Sequence, residues 1–300
     1  MNGPRSLAVL ASVALLGASL ALTGSCQRGA PEAEKNPNVV PTEALAPRLL
    51  HDERAIAGYL AAFPRAAYKL VEVPKLGRFY LDDNPGLVKV ALRARRPWEP
   101  AVARVLAQGA RPGTTALDIG AHIGTHTLTL ARAVGGRGRV YAFEPQRRIY
   151  RELMQNLALN RIENVVPLRY AVGAETRVVE MNPGVGPDGA IGVGHGGDRV
   201  ELRPVDSFPF ANVSLIKIDV EGFELEVLRG AARTIQRWRP VIVTEIGGAH
   251  IYNLLPPAKK AVVDGVRGFF KRAGYSLGLI EMGGEPQYVA LPTRRETPPK

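Results

Sequence analysis

The sequence predicts an α/β fold: a doubly wound, mostly parallel seven-stranded sheet with an antiparallel C-terminal hairpin. Three observations carry that prediction. From Thr114 onward, short apolar β runs alternate with stretches of helical period, as expected of a parallel sheet covered on both faces. Two final β runs flank Gly283-Gly284, a hairpin pattern. Hydrophobic residues make up 46% and charged residues 22% of 300, which suits a large buried core and excludes wholesale disorder or a multi-span membrane protein.

The elements follow in order. TTALDIG is a first strand ending at Asp118, and a helix runs from about Ile123 to Val134. RVYAFEP is a second strand, followed by a helix carrying Tyr150, Leu153, Leu157 and Leu159. VVPLRYAVG and SLIKIDVEG give strands three and four. A helix from about Glu224 to Trp238 leads to PVIVTEIG, the fifth strand. KKAVVDGVRGFFKRAGY closes with a helix ended by Gly274, and YSLGLIEM and QYVALP form the hairpin, expected to supply an antiparallel edge strand.

The segments before Thr114 read differently. Residues 1–25 combine Arg5, an apolar run from Leu7 to Leu22 and small residues before Cys26, the pattern of an export signal with a lipidation site at Cys26. A plainly cleaved signal, an uncleaved anchor and a mis-assigned start are the alternatives. Residues 26–47 read as an extended, proline-rich linker. Residues 48–97 form an N-terminal extension, with an amphipathic helix from Arg48 to Phe63 and a hairpin over Tyr68–Tyr80. A domain over 98–291 and a tail over 292–300 complete the division. The net charge is +11, and Arg5 is the only charged side chain among residues 1–25, so a chain without them keeps +10. That balance favours anionic neighbours. Residues 87–111 carry Lys89, Arg93, Arg95, Arg96, Arg104 and Arg111 against Glu99 alone, either a solvated helix face or an anion-binding lip.

In sheets of this kind ligands bind beyond the carboxyl ends of the strands. Strand one ends in D118-I-G-A-H-I-G124, where Gly120 permits a tight turn and Gly124 lets the next helix pack closely. Strand two ends in Glu144, 20 residues after Gly124, placed to accept both hydroxyls of a ribose. Together they point to an adenosine-type ligand. His122 stands where a dinucleotide fingerprint has its second glycine and would crowd a pyrophosphate. S-adenosylmethionine needs no pyrophosphate site, and Asp118 and Asp219 can meet its ammonium end.

At this point LDIGAHIGTHTLTLAR, YAFEPQRRIYRELMQNLALN, YAVG, LIKIDVEGFELEVLRGA and RPVIVTEI, in this order, resemble the FkbM-type methyltransferase domain over roughly residues 98–282. The resemblance implies a Rossmann-like class I methyltransferase that transfers a methyl group from S-adenosylmethionine to a hydroxyl of a sugar, glycan or small natural product. Carried over by position, Asp118, Gly120, Ala121, His122 and Gly124 form the cofactor turn. Glu144 holds the ribose, Ala171 borders the adenine and Asp219 faces the methionine end. The family usually has Asn where this chain has His122.

Methyl transfer to oxygen needs alignment of two centres and a group to receive one proton. Glu221 is the candidate general base and Asp219 the cofactor contact; the alternative for Glu221 is a salt bridge with Lys217 or a helix cap. Glu245 could also face substrate. His126 reads as a packing or surface residue. His122, His126 and His195 show no metal-ligand spacing, and the single Cys excludes a multi-Cys zinc site, so no metal is expected. The glycine-rich run Met181–Asp198 is a loop or a substrate-covering flap. A second functional class stays open, a lipid-anchored binding protein that keeps the fold without catalysis; a nucleic-acid partner is disfavoured. The expected location is membrane-associated, lipid-anchored in a bacterial envelope, with the cytoplasmic face still open because the methyl donor is made inside.

Overall fold

The computed structural model describes residues 57–181, 193–194, 197–281 and 286–293. The signal-like segment, Cys26, the linker, the start of the extension, His195, most of the glycine-rich run, Gly283-Gly284 and the tail from 294 lie outside the described residues. Among the described residues no helix is long and apolar enough to cross a membrane.

The extension forms a helical turn over residues 57–61, then the hairpin β1 (Lys69–Val73) and β2 (Gly77–Leu81), then α1 (Leu87–Arg93). The hairpin expected over Tyr68–Tyr80 is therefore present. Alternation along it sends Val73, Phe79 and Leu81 inward. These residues pack with Leu92, Ala121, Ile123 and Leu128 and with Ile149, Tyr150, Leu153 and Leu157. α2 (Pro100–Gly109) leads into the main sheet.

The central strands are β3 (Thr115–Ile119), β4 (Arg139–Phe143), β5 (Val165–Leu168), β10 (Val213–Ile218) and β11 (Val241–Glu245), all parallel. The hairpin adds β12 (Tyr275–Glu281) and β13 (Gln287–Pro292), giving the order β12-β13-β11-β10-β3-β4-β5. β13 pairs antiparallel with both neighbours. It therefore sits one place in from the edge, and β12, the true edge strand, runs with the parallel set. The chain reaches β12 through a helix, leaves a gap beside β11, and fills it with the return arm of the hairpin.

Helices α3 (Thr125–Val134), α4 (Arg147–Leu159), α5 (Glu224–Gly230), α6 (Ala232–Trp238) and α7 (Pro257–Ala273) cover the sheet. Leu117 and Ile119 share one core with Val227, Leu228, Ile235, Val263 and Phe270. Ala116, Val140, Leu215 and Val243 share another with Val102 and Leu106 of α2 and Leu130 and Val134 of α3. The strand alternation that splits these cores also puts Asp118 on the α3 side. The helix expected over Glu224–Trp238 is broken at Ala231. Asp206 caps the second part, its carboxylate accepting from the Arg233 and Thr234 amides at 2.8 and 2.9 Å.

The third expected strand also divides. β5 stays in the main sheet, while β6 (Ala171–Val172) joins a side sheet of order β6-β9-β7-β8, with β7 (Arg177–Met181), β8 (Val193–Gly194) and β9 (Arg199–Arg203). Val179 and Met181 alternate inward to meet Val200 and Leu202.

Candidate active site

Three strand ends and one turn meet at the carboxyl edge of the sheet. β3 delivers Asp118 and the turn 120–124. Glu144 follows β4 directly, and Asp219 follows β10. The Gly120 and Ala121 amides both donate to the Phe143 carbonyl, at 3.0 and 2.9 Å, and the Asp219 amide donates to the Ile119 carbonyl at 3.0 Å. Gly120 has a φ of 82°, and a Cβ on it would lie 1.8 Å from the Asp219 carbonyl oxygen. Glycine is required there because two strand-end loops touch.

Lys217 is the hub of the site, and the sequence reading treated it only as a possible partner of Glu221. Its Nζ donates to the Gly120 carbonyl at 2.7 Å and lies 3.5 Å from Asp118 Oδ1 and 3.3 Å from Asp219 Oδ2. Burial opposes its charge, but Asp219 and Asp118 outweigh burial and hold its pKa above the ordinary lysine value. Asp219 feels the same contest: burial pushes its pKa up, and Lys217 brings it below the usual carboxylate range. Asp118 is fully enclosed, and Thr127 Oγ1 donates to its Oδ2 at 2.6 Å. A lysine inside the apolar run SLIKI was the available signal, since an enclosed ammonium needs partners.

Glu144 is buried, and burial raises its pKa to about 7 even though it accepts from the Gln146 and His122 amides at 3.0 Å each. Two of the roughly four lone-pair positions of a carboxylate are thereby used. His122 adopts a left-handed backbone, φ 50°. Burial, reinforced by Lys89, lowers its pKa to about 4, so the ring is neutral, and its Nδ1 is buried without a hydrogen bond. Gly124 is also left-handed, and a Cβ there would meet Leu153 of α4 at 2.9 Å. Ala171, on β6, is buried and pairs with Leu202.

Glu221 is exposed and left-handed, φ 56°, in the loop after Asp219. Glu224, at the start of α5, accepts through Oε1 from the Gly222 and Val220 amides of that loop at 3.0 and 3.3 Å. Glu245 ends β11, with the Gln287 side-chain amide 3.4 Å from its Oε2. His126 is buried, and its Nε2 lies 3.0 Å from Glu99 Oε2. Two residues of the basic run also face inward. Lys89 is enclosed 2.7 Å from both Asp82 and Glu152, and Arg93 donates to the Asp82 and Asn84 carbonyls at 2.7 and 2.8 Å. Among the described residues no group of three His, Cys, Asp or Glu could hold a metal ion. A groove of about 560 Å³ lined by Ile235, Gln236, Arg239, Phe269 and Arg272 opens near the starts of β11 and β12, away from these carboxylates.

Residues 118–277 match the family described as the methyltransferase FkbM domain. A hexuronic acid methyltransferase, AglP, from Haloferax volcanii is 31% identical over 172 residues, covering 54% of this chain and 69% of that protein. Among solved structures, the methyltransferase FkbM from Methylobacillus flagellatus aligns with a TM-score of 0.43 and 18% identity, over 82% of this chain and 60% of that one. An O-methyltransferase from Bacillus cereus in complex with SAH aligns with a TM-score of 0.43 and 16% identity, over 85% of this chain and 93% of that one. The chain thus spans about three fifths of the Methylobacillus protein.

Proposed function

The chain belongs to the FkbM methyltransferase family, and from that premise we propose that it methylates a hydroxyl of a sugar, glycan or small natural product, with S-adenosylmethionine as donor. The observation that carries the proposal is the meeting of Asp118, Glu144 and Asp219 around a left-handed, glycine-containing turn at one sheet edge. These residues fit the donor. Glu144 has acceptor capacity left for a ribose diol, and the neutral His122 carries a buried nitrogen without a partner. Asp219, with about a quarter of its side chain exposed, suits an ammonium group. Asp118, Gly120, Ala121 and Gly124 shape the turn, and Ala171 supplies an apolar wall for the adenine.

S-adenosylmethionine supplies an activated methyl group on a sulfonium, so the protein needs mainly to align it with the acceptor and remove one proton. A sugar-type acceptor is supported by the hexuronic acid methyltransferase among the relatives. Glu221, exposed two residues after Asp219, is a candidate to receive that proton. For location, the apolar run 7–22, Cys26 and the net charge of +11 support a membrane-associated protein anchored through Cys26. The test of the activity is calorimetric titration with S-adenosylhomocysteine, followed by transfer of a labelled methyl group from S-adenosylmethionine to methyl glucuronide and methyl glucoside. Absence of S-adenosylhomocysteine binding would refute the donor assignment; binding without transfer to either sugar would refute the acceptor class.

A further inference from the structure

Glu99 and His126 form a built pair that the reading above leaves unused. Glu99 stands immediately before α2 with a left-handed backbone, φ 42°. That conformation is disfavoured for a non-glycine residue and concentrates at functional sites. His126 occupies the first turn of α3, directly after the 120–124 turn, with its side chain only 5% exposed. Its Nε2 lies 3.0 Å from Glu99 Oε2. An ionised carboxylate can only accept, so the hydrogen sits on Nε2 and the ring's lone pair is left on Nδ1. Nδ1 makes no hydrogen bond among the described residues, and the side chain is not wholly enclosed. The pair is tied to the site by chain position, since the helix carrying His126 begins directly after the 120–124 turn. Glu99 acts electrostatically on Lys217, and His126 on Asp219.

We propose that His126 Nδ1 receives the proton of the acceptor hydroxyl, with Glu99 fixing the tautomer and balancing the charge the ring gains. The inference rests on the methyl-transfer reading. The acceptor O–H bond breaks toward Nδ1, and an oxygen electron pair forms the bond to the methyl carbon. The carbon–sulfur bond breaks with its pair left on sulfur, so a sulfonium and a neutral imidazole become a thioether and an imidazolium. The charged groups linked to the ring are Glu99 before α2, 3.0 Å from Nε2, and Asp219 after β10, with which it interacts electrostatically. Both are carboxylates. An imidazolium formed among them finds compensation that a second carboxylate proton acceptor would not need. Glu99 is thereby a positioning residue and His126 the catalytic one.

The test combines a tautomer measurement with kinetics on the full chain. Nitrogen NMR of the histidine-labelled protein, with and without S-adenosylhomocysteine, should show His126 protonated at Nε2 and bare at Nδ1. A ring protonated at Nδ1 overturns the proposal, whatever the acceptor. With methyl glucuronide and methyl glucoside as probes, His126→Gln should lower kcat by about 10²–10⁴-fold while S-adenosylhomocysteine affinity is kept. Glu99→Gln, which retains a hydrogen-bond acceptor, should lower kcat by about tenfold and move the acid limb of the pH profile, with KM held. Turnover kept in His126→Gln but abolished in Glu221→Gln gives the proton to Glu221 and overturns the inference. If wild type methylates neither sugar, the acceptor class of the preceding section fails, and the tautomer alone decides for or against His126.

Discussion

Lys217 joins the two loops of the site: its ammonium donates to the Gly120 carbonyl at 2.7 Å while Asp219 Oδ2 lies 3.3 Å away. Replacing it strands two carboxylates, one of them fully enclosed. Lys217→Met should therefore cost about 3–5 kcal/mol at neutral pH, the range for breaking an enclosed ion pair from one side. The depressed Asp219 pKa adds stability above the ordinary value of 3.8, lost as pH falls through the lower folded value. The raised Lys217 pKa adds stability below 10.5, lost as pH rises through the folded value. The deficit of the variant should be largest between those limits and shrink toward acid, which urea titrations at pH 3 and pH 7 would check.

Glu144 makes the opposite contribution. Its pKa rises to about 7 on folding from 4.5, so the native state binds more protons than the unfolded one in between, and stability falls as pH climbs through that window. Glu144→Gln should erase that slope in thermal melts taken from pH 4.5 to 7. Glu144→Ala should weaken S-adenosylhomocysteine binding by about 10–150-fold, because hydrogen bonds to a charged acceptor contribute about 1.5–3 kcal/mol. Calorimetry with unchanged affinity would remove Glu144 from the donor site.

The loop contact at Gly120 makes that position intolerant. Gly120→Ala places a methyl group 1.8 Å from the Asp219 carbonyl at a φ of 82°. Melting temperature and S-adenosylhomocysteine affinity should fall together. Gly136→Ala, where a Cβ meets nothing within 4 Å, is the matched control and should change neither.

Much of this arrangement is legible in the sequence because its signals are local. Strands such as TALDI and VSLIKI are short apolar runs bounded by loops, and Asp118, Glu144 and Asp219 fall at their ends. What is not legible depends on pairing across distance. The wedge of β13 between β11 and β12 follows from where a hairpin returns, which local period does not encode. The strands Arg177–Met181 and Arg199–Arg203 carry alternation, but glycine-rich sequence separates them and masks the pairing. Glu99 and His126 are 27 positions apart, and Lys89 meets Glu152 from another element. Each reads as an ordinary surface charge or packing residue until the fold brings its partner.

Location offers a separate test. Cys26→Ser should release the protein from the membrane fraction or leave a precursor that migrates more slowly, since acylation of that thiol is the proposed anchor. Recovery of wild-type protein in the soluble cytoplasmic fraction with residues 1–25 attached would refute the anchor and leave the methyl-transfer reading intact.

The enclosed Lys89 ties Asp82 of the extension to Glu152 of α4, and Arg148 bonds both of those carboxylates. The region matched to the family begins at residue 118, yet Asp82 and Lys89 of this ionic knot and the side chains of Phe79, Leu81 and Leu92 lie before it. Inheritance of the two parts is consequently joined. A descendant that lost the extension would inherit a Glu152 deprived of Lys89 and an uncovered α4, so the extension and α4 should diverge in step, each change at residue 82 or 89 answered by one at 148 or 152.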